Sequence, residues 1–263
     1  MGSFRMDKEA GYRQWVVPEP VAVFLLVHGI GAHCERWEAM AGFFAGKRIS
    51  SYAIDCPKPE DYNGNILRLR ETIAKNNPEK KIFLIGESLG AVISFLLVSR
   101  HPELFDGLVC FSPAFSSKLK LPAVDYLKIL ASLIYNPKKE FSLPFDSTMC
   151  TRDIVYRNKM EADQGESRRA SSQSIAGVFL YQILASVSAK TMTSPVLFLI
   201  AGDDKIAESA RSAAIFKRIR AGDKTFIEYP SMYHSLSIEL GKEKVFDDLL
   251  RWIEKRIKGT FCY

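Results

Sequence analysis

Residues 82–98 read Ile82-Phe83-Leu84-Ile85-Gly86-Glu87-Ser88-Leu89-Gly90-Ala91-Val92-Ile93-Ser94-Phe95-Leu96-Leu97-Val98. An apolar run of strand length stops at a glycine, and a second run, long enough for a helix, begins just past the serine. The flanking glycines let the chain turn sharply without Cβ clashes, which holds the Ser88 hydroxyl out above the edge of a sheet. Helix N–H groups and the positive end of the helix dipole then lie beside that hydroxyl, where an oxyanion would develop. An ordinary serine in a strand-to-helix turn has the same five-residue pattern. The rest of the chain decides between the two.

Working outward, residues 12–17 read as a strand, and Val21-Ala22-Val23-Phe24-Leu25-Leu26-Val27 is apolar without alternation, as suits a strand buried on both faces of a parallel sheet. Helical patterns at residues 35–45 and within 65–75 flank a strand at 49–54, and Gly107-Leu108-Val109-Cys110-Phe111 gives the next buried strand. From residue 113 the alternation stops, and helical pieces at 124–134 and 175–187 are joined by polar linkers. It resumes with a strand at 195–200, a helix at 209–217, a strand at 224–229 and an amphipathic helix at 242–257. Repeated alternation predicts an α/β fold with a mostly parallel sheet covered on both faces and with reactive groups at the C-terminal strand ends. The expected division is a core of residues 1–112 and 191–263 and a helical cap of residues 113–190 laid over those ends.

A serine hydroxyl is a weak nucleophile until a base removes its proton, and the base needs a carboxylate to fix its tautomer. The test of Ser88 is therefore whether an aspartate and then a histidine follow later strands. Asp203-Asp204-Lys205 follows the strand ending at residue 200, and Tyr233-His234-Ser235 follows the strand ending at residue 229. Of the four histidines, only His234 has the required position. The acid is assigned to Asp204, with Asp203 as a turn residue and as the alternative, because adjacent loop residues point in different directions. Two backbone donors are needed for an oxyanion: Leu89, after the nucleophile, and Ile30, in His28-Gly29-Ile30-Gly31-Ala32-His33. His28 is expected to hold that loop by hydrogen bonding. Gly29, His33 and Glu87 are candidate substrate contacts.

The 263 residues are 47% hydrophobic and 25% charged, enough for one α/β domain with an insertion. The 36 basic and 30 acidic residues are interspersed without a basic tract, so a nucleic-acid partner is not expected despite a net charge of +6. Five cysteines without a C-x-x-C pair suit a reducing compartment and no structural metal. The first residues lack the apolar stretch of a signal peptide, and no run reaches membrane-span length, so a cytoplasmic location is expected.

The loop at residues 28–33, the Gly86-to-Gly90 turn, Asp204-Lys205-Ile206 and His234 together resemble the α/β-hydrolase fold, with its helical cap inserted after the sixth strand. More narrowly, the loop with Thr151-Arg152-Asp153 resembles the monoacylglycerol lipase and lysophospholipase branch. The resemblance implies hydrolysis of a carboxylic ester through an acyl-enzyme on Ser88, with His234 as base and then acid, and without metal or organic cofactor. A lipid ester such as a monoglyceride or lysophospholipid is the implied substrate. The chain departs from the branch where Asp55-Cys56-Pro57-Lys58-Pro59-Glu60-Asp61 replaces a glycine-rich loop, and where Ala162-Asp163-Gln164 stands in place of an Asp-Pro-Leu. Both departures bear on the substrate rather than on the three residues.

The segment at 113–190 mixes apolar residues such as Leu127, Leu130 and Ile134 with Lys118, Lys120, Lys128, Lys138 and Lys139, the pattern of an acyl-lining cap whose lysines face a membrane surface, or of an amphipathic helix with a solvated face. Rivals on the same three residues are a short-chain carboxylesterase, a thioesterase or a peptidase, the last needing an acidic group for a substrate amine. A binding protein without catalysis is a rival of another class, one that would be expected to lack one of the three.

Overall fold

Apolar runs that never alternate have to be covered on both sides, and in this chain they form the centre of one eight-stranded sheet. In a computed structural model of the chain, residues 11–257 and the backbone strand Ser3–Asp7 are described. In chain order the elements are β1 (Ser3–Asp7), β2 (Tyr12–Val16), β3 (Ala22–Val27), α1 (Glu38–Ala45), β4 (Ile49–Ile54), α2 (Tyr62–Asn76), β5 (Ile82–Glu87), α3 (Leu89–Arg100) and β6 (Gly107–Phe111). There follow α4 (Ala123–Tyr135), β7 (Glu140–Ser142), α5 (Ser147–Cys150), α6 (Ile154–Ala162), β8 (Arg169–Ser171) and α7 (Ser172–Ser188). The chain closes with β9 (Val196–Ala201), α8 (Ser209–Arg218), β10 (Lys224–Tyr229) and α9 (Lys242–Ile257).

The sheet order is β1-β2-β4-β3-β5-β6-β9-β10. The six strands from β4 to β10 run parallel, and β1 and β2 add an antiparallel edge. Alternate residues of one strand serve opposite faces, as strand geometry requires. Val23, Leu25 and Val27 pack with α2 and α3, whereas Ala22, Phe24 and Leu26 pack with α1 and α9. Helix α3 is buried from Leu89 to Ser99 because α7 covers its outer side, which explains why its sequence shows no polar face.

The expected mostly parallel, doubly covered sheet with an insertion after the sixth strand is what the chain forms. Local readings differ in three places. The helix read at 35–45 is a 3₁₀ turn, Cys34–Trp37, followed by α1, because the His33 ring accepts the Glu35 N–H and fixes a tighter start. Helix α2 begins at Tyr62, with Pro59 opening the turn before it. The segment between β6 and β9 also contains an antiparallel ribbon, β7 paired with β8 at Phe141↔Ala170, where only helices were expected.

No helix among the described residues is long and apolar enough to cross a membrane. The signal-peptide and targeting readings of the first nine residues, the outer ends of the proposed core and Cys262 lie outside the described residues, apart from the backbone of β1.

Candidate active site

Strand β5 ends at Glu87, and the chain reverses at Ser88 with φ 57° and ψ −120°, a conformation that a residue with a Cβ adopts only under strain. The strain persists because the turn is packed from both sides. A Cβ on Gly86 would sit 2.6 Å from Ala91 Cα, and one on Gly90 would overlap the carbonyl oxygens of Val27 and His28. Both glycines are therefore demanded by close backbone approach, and together they set where the Ser88 side chain leaves the sheet.

Parallel pairing of β6 with β9 and of β9 with β10 brings the later loops to the same edge. His234 Nε2 lies 2.8 Å from Ser88 Oγ, and His234 Nδ1 lies 2.7 Å from Asp204 Oδ2. The other Asp204 oxygen accepts the Ile206 and Ala207 N–H groups, both at 2.8 Å. With the carboxylate as acceptor, Nδ1–H donates to Asp204, and Nε2 is left to accept the Ser88 hydroxyl proton. Asp203 points outward to Lys205 at 2.5 Å, so of the two adjacent aspartates it is Asp204 that meets the histidine.

Burial works to raise the Asp204 carboxyl, but the His234 ring and the two N–H groups outweigh it and hold the acid below its ordinary range. Burial works to lower His234, and the charge and hydrogen bond of Asp204, aided by Glu87, outweigh it and raise the imidazole above its ordinary value.

Leu89 is the first residue of α3, so its N–H has no partner within the helix. Among the described residues no protein acceptor takes up the N–H of either Leu89 or Ile30. Gly29 abuts Ser88: a Cβ there would come 3.0 Å from Ser88 Cβ. The loop is fixed from behind by His28, which is 1% exposed, lies 2.8 Å from the Gly29 carbonyl and accepts the Cys56 N–H on Nε2. Burial lowers His28 to about 4, so the ring stays neutral and structural, as expected. Gly31, at φ 74°, accepts the Ser167 N–H at 2.8 Å, and a Cβ there would overlap the Ser167 carbonyl.

Two of the expected substrate contacts are placed elsewhere. Glu87 is 3% exposed and turns away from the cavity in front of Ser88; its two oxygens accept Ser237 N–H at 3.1 Å and Ser237 O–H at 3.0 Å. Glu87, the last residue of β5, reaches behind the histidine loop, while the reversal at Ser88 carries its hydroxyl forward. Burial pushes the Glu87 carboxyl up, against the opposing charge of Arg36. His33 donates to Asp163 Oδ2 at 2.7 Å in a separate small hollow beside Arg36 and Tyr156.

The histidine loop has braces that the sequence reading missed. Arg36 is buried in an ion pair with Glu166 and donates to Ser235 Oγ at 3.3 Å. Glu239, fully buried, accepts Tyr233 N–H and Arg152 Nε–H, each at 3.1 Å. Thr151-Arg152-Asp153 thus acquires physical roles: Thr151 donates to the Ile238 carbonyl, Arg152 pairs with Glu239, and Asp153 caps α6. Lys118 donates to the Asp204 carbonyl at 2.6 Å. An acid five residues past the loop histidine, in the otherwise apolar and small stretch of residues 235–240, was the available signal for Glu239.

In front of Ser88 lies a cavity of about 430 Å³, walled by Ile30, Leu89, Leu119, Leu121, Leu143, Phe145, Ile175, Val178, Phe179 and Ile206, with Lys120 the one charged residue of its lining among the described residues. The hydrogen-bond chain from Ser88 through His234 to Asp204 is complete in protein atoms.

The chain is similar to the monoglyceride lipase of Mus musculus, 29% identical over 92% of this chain and 85% of that protein. Among solved structures it resembles the Paleococcus ferrophilus monoacylglycerol lipase, TM-score 0.84 at 22% identity, over 97% of this chain and 99% of that one. It also resembles a soluble variant of the Saccharomyces cerevisiae monoglyceride lipase solved with a substrate analogue, TM-score 0.80 at 18% identity, over 97% and 94% of the two chains. These structures share the α/β-hydrolase fold. The model of the hydrolase family described as serine aminopeptidase, S33, matches residues 18–241, and the chain belongs to that family.

Proposed function

We propose that the protein hydrolyses the carboxylic ester of a lipid with one acyl chain, a monoglyceride or lysophospholipid, through an acyl-enzyme on Ser88. The observation that carries this reading is the unbroken hydrogen-bond chain from Ser88 through His234 to Asp204 at the mouth of an apolar cavity. Ser88 Oγ attacks the ester carbonyl as His234 Nε2 takes its proton, and Asp204 stabilises the imidazolium. The N–H groups of Ile30 and Leu89 receive the oxyanion. The alcohol leaves with the proton from His234, and water repeats the sequence to release the fatty acid.

Residues 1–112 and 191–263 act in this reading as the core, and residues 113–190 as a cap over the acyl chain. The exposed apolar side chains Leu127, Leu130 and Ile134 on α4, beside Lys128, support contact of the cap with an anionic membrane surface. Four buried free cysteines, Cys34, Cys56, Cys110 and Cys150, fit a reducing, cytoplasmic setting. The family description raises aminopeptidase activity as a second reading. A free substrate amine would call for a carboxylate, and among the described residues the lining of the Ser88 cavity contains none; Glu87 is committed to Ser237.

The test is hydrolysis of p-nitrophenyl esters from acetate to palmitate by the wild type and by Ser88→Ala. A medium- or long-chain optimum that disappears in the variant is expected. A short-chain optimum would shift the reading to a general esterase, and activity unchanged by the substitution would overturn the role of Ser88.

A further inference from the structure

Parallel pairing of β3 with β4, Leu26 against Ala53, sets the loops that follow the two strands side by side. The first loop leads into His33 and Cys34, and the second begins at Asp55, so three donors of different chemistry meet beside the loop that carries Ile30. One donor atom from each, an imidazole nitrogen, Cys34 Sγ and an Asp55 oxygen, lies within 4.8 Å of the other two. None of the three belongs to the hydrogen-bond chain from Ser88 to Asp204 or to the lining of the Ser88 cavity.

His33 Nε2 is engaged by Asp163 Oδ2 at 2.7 Å. With Nε2–H donated to that carboxylate, Nδ1 keeps its lone pair, and its one hydrogen-bond contact is the long one of 3.4 Å from the Glu35 N–H. A carboxylate on the far ring nitrogen is the arrangement that orients histidine ligands in metal sites. The Asp55 carboxylate is half-buried, shares a hydrogen bond with the Cys34 thiol and has no ion-pair partner among the described residues. Arg13, the cation nearby, is taken up by Glu35 at 2.9 Å and Glu38 at 3.5 Å. Cys34 is fully buried on the α1 side of the sheet, whereas Cys56, next to Asp55, packs on the α2 side.

A thiolate and a carboxylate carry two negative charges and a neutral imidazole none, so the set balances a divalent cation. Sulfur, nitrogen and oxygen together select an ion such as zinc over magnesium or calcium, which take oxygen ligands. A second set around the same ring, with Glu35 and Asp163, is already spent: Asp163 accepts from His33 and Gly165, and Glu35 pairs with Arg13.

We propose that His33 Nδ1, Cys34 Sγ and an Asp55 oxygen bind one divalent cation of the zinc class, with water as the fourth ligand. Zn–S of about 2.3 Å and Zn–N or Zn–O of about 2.0 Å put tetrahedral donors roughly 3.5 Å apart, so the three close by about 1 Å. The Cys34 proton leaves to solvent as the sulfur–metal bond forms, and the shared ion replaces the thiol's hydrogen bond to Asp55. The bound ion staples the loop of Ile30 to the end of β4, whatever substrate the protein takes.

The probe is cobalt(II), which occupies zinc sites and gives a thiolate charge-transfer band together with the visible bands of a four-coordinate ion. It is titrated, with a thiol-free reductant present, into the full chain and into Cys34→Ser, Cys56→Ser, His33→Gln, Asp55→Asn and Asp163→Asn, with circular dichroism reporting the fold of each. Both bands are expected to saturate at one cobalt per chain, to bleach when zinc is added and to persist in Cys56→Ser. Cys34→Ser should lose the thiolate band, and His33→Gln and Asp55→Asn carry the test if that variant does not fold. These two should weaken binding by about 100-fold, and Asp163→Asn, which touches the ring and not the ion, by about tenfold. Zinc at roughly 100 times its Kd should raise the thermal midpoint by about 5–10 °C, and magnesium should not. Absence of the bands, a cobalt spectrum without the thiolate band, a thiolate band that survives Cys34→Ser or is lost in Cys56→Ser, or a thermal midpoint unmoved by zinc overturns the proposal.

Discussion

Replacing Glu239 by glutamine should destabilise the protein by about 3 kcal/mol and reduce turnover together with stability. The Glu239 carboxylate is fully buried and accepts five contacts: Arg152 N–H at 3.2 and 3.1 Å, Arg152 Nε–H at 3.1 Å, Tyr233 N–H at 3.1 Å and Leu240 N–H at 2.7 Å. Each oxygen serves at least two donors, so whichever way the glutamine amide is turned, its NH₂ faces two N–H groups. A hydrogen bond to a charged group contributes about 1.5–3 kcal/mol, and loss of one partner of a buried pair costs about 3–5 kcal/mol. The Arg152 side chain is 33% exposed and can recover water, which places the expected cost at the lower end. Because Tyr233 adjoins His234, the loosened loop should lower kcat more than it raises KM. Urea unfolding followed by tryptophan fluorescence, with kcat and KM measured in parallel, is the assay. A loss below about 1 kcal/mol with wild-type kcat would refute the claim that this carboxylate holds the histidine loop.

Asp204→Asn should lower kcat by about 10⁴-fold through the wrong imidazole tautomer, whereas Asp203→Asn should leave it within a few-fold; equal losses would contradict the assignment of the acid. Glu87→Gln removes one of the two negative groups that raise His234, Asp204 being the other and Arg36 opposing them. The histidine must be neutral to act as base, so activity is lost as pH falls through its pKa; lowering that pKa moves the acid limb of kcat/KM to lower pH. An unmoved limb would mean that the buried Glu87 carries no charge there. Gly31→Ala combines positive φ with overlap of the Ser167 carbonyl, and should lower both thermal stability and kcat by displacing the loop that carries Ile30; unchanged kinetics would sink that reading.

The sheet could be read from the sequence because buried parallel strands leave an unmistakable mark: the run at residues 21–27 and its counterparts at 82–85, 107–111 and 195–200 contain almost nothing polar. Ser88 and Asp204 could be picked out because each follows such a run, and His234 because it follows the more polar edge strand at residues 224–229 in the required order, so sequence adjacency stands in for position in space. Glu87 and His33 could not be placed in this way. Their side chains are claimed by Ser237 and Asp163, 150 and 130 residues away, and local pattern carries no information about such partners. The same holds for Arg36 and Glu239, whose burial depends on countercharges from Glu166 and Arg152. The ribbon of β7 and β8 was hidden by its length of three residues per strand, too short for alternation to register.

The separation of 146 residues between Ser88 and His234 also sets a schedule for synthesis. Chains are made from the N-terminus at about 5–20 residues per second, so roughly 7–30 s pass between the emergence of the serine and that of its base. During that interval β3, β5 and β6 can pair and the strained turn can form, but no proton acceptor exists. Strands β9 and β10, added last at the far edge, deliver Asp204 and His234 together. In the proposed mechanism, a nascent chain that has not yet exposed residues 196–234 is therefore inert, and Ser88 gains its base only when β9 and β10 have joined the sheet.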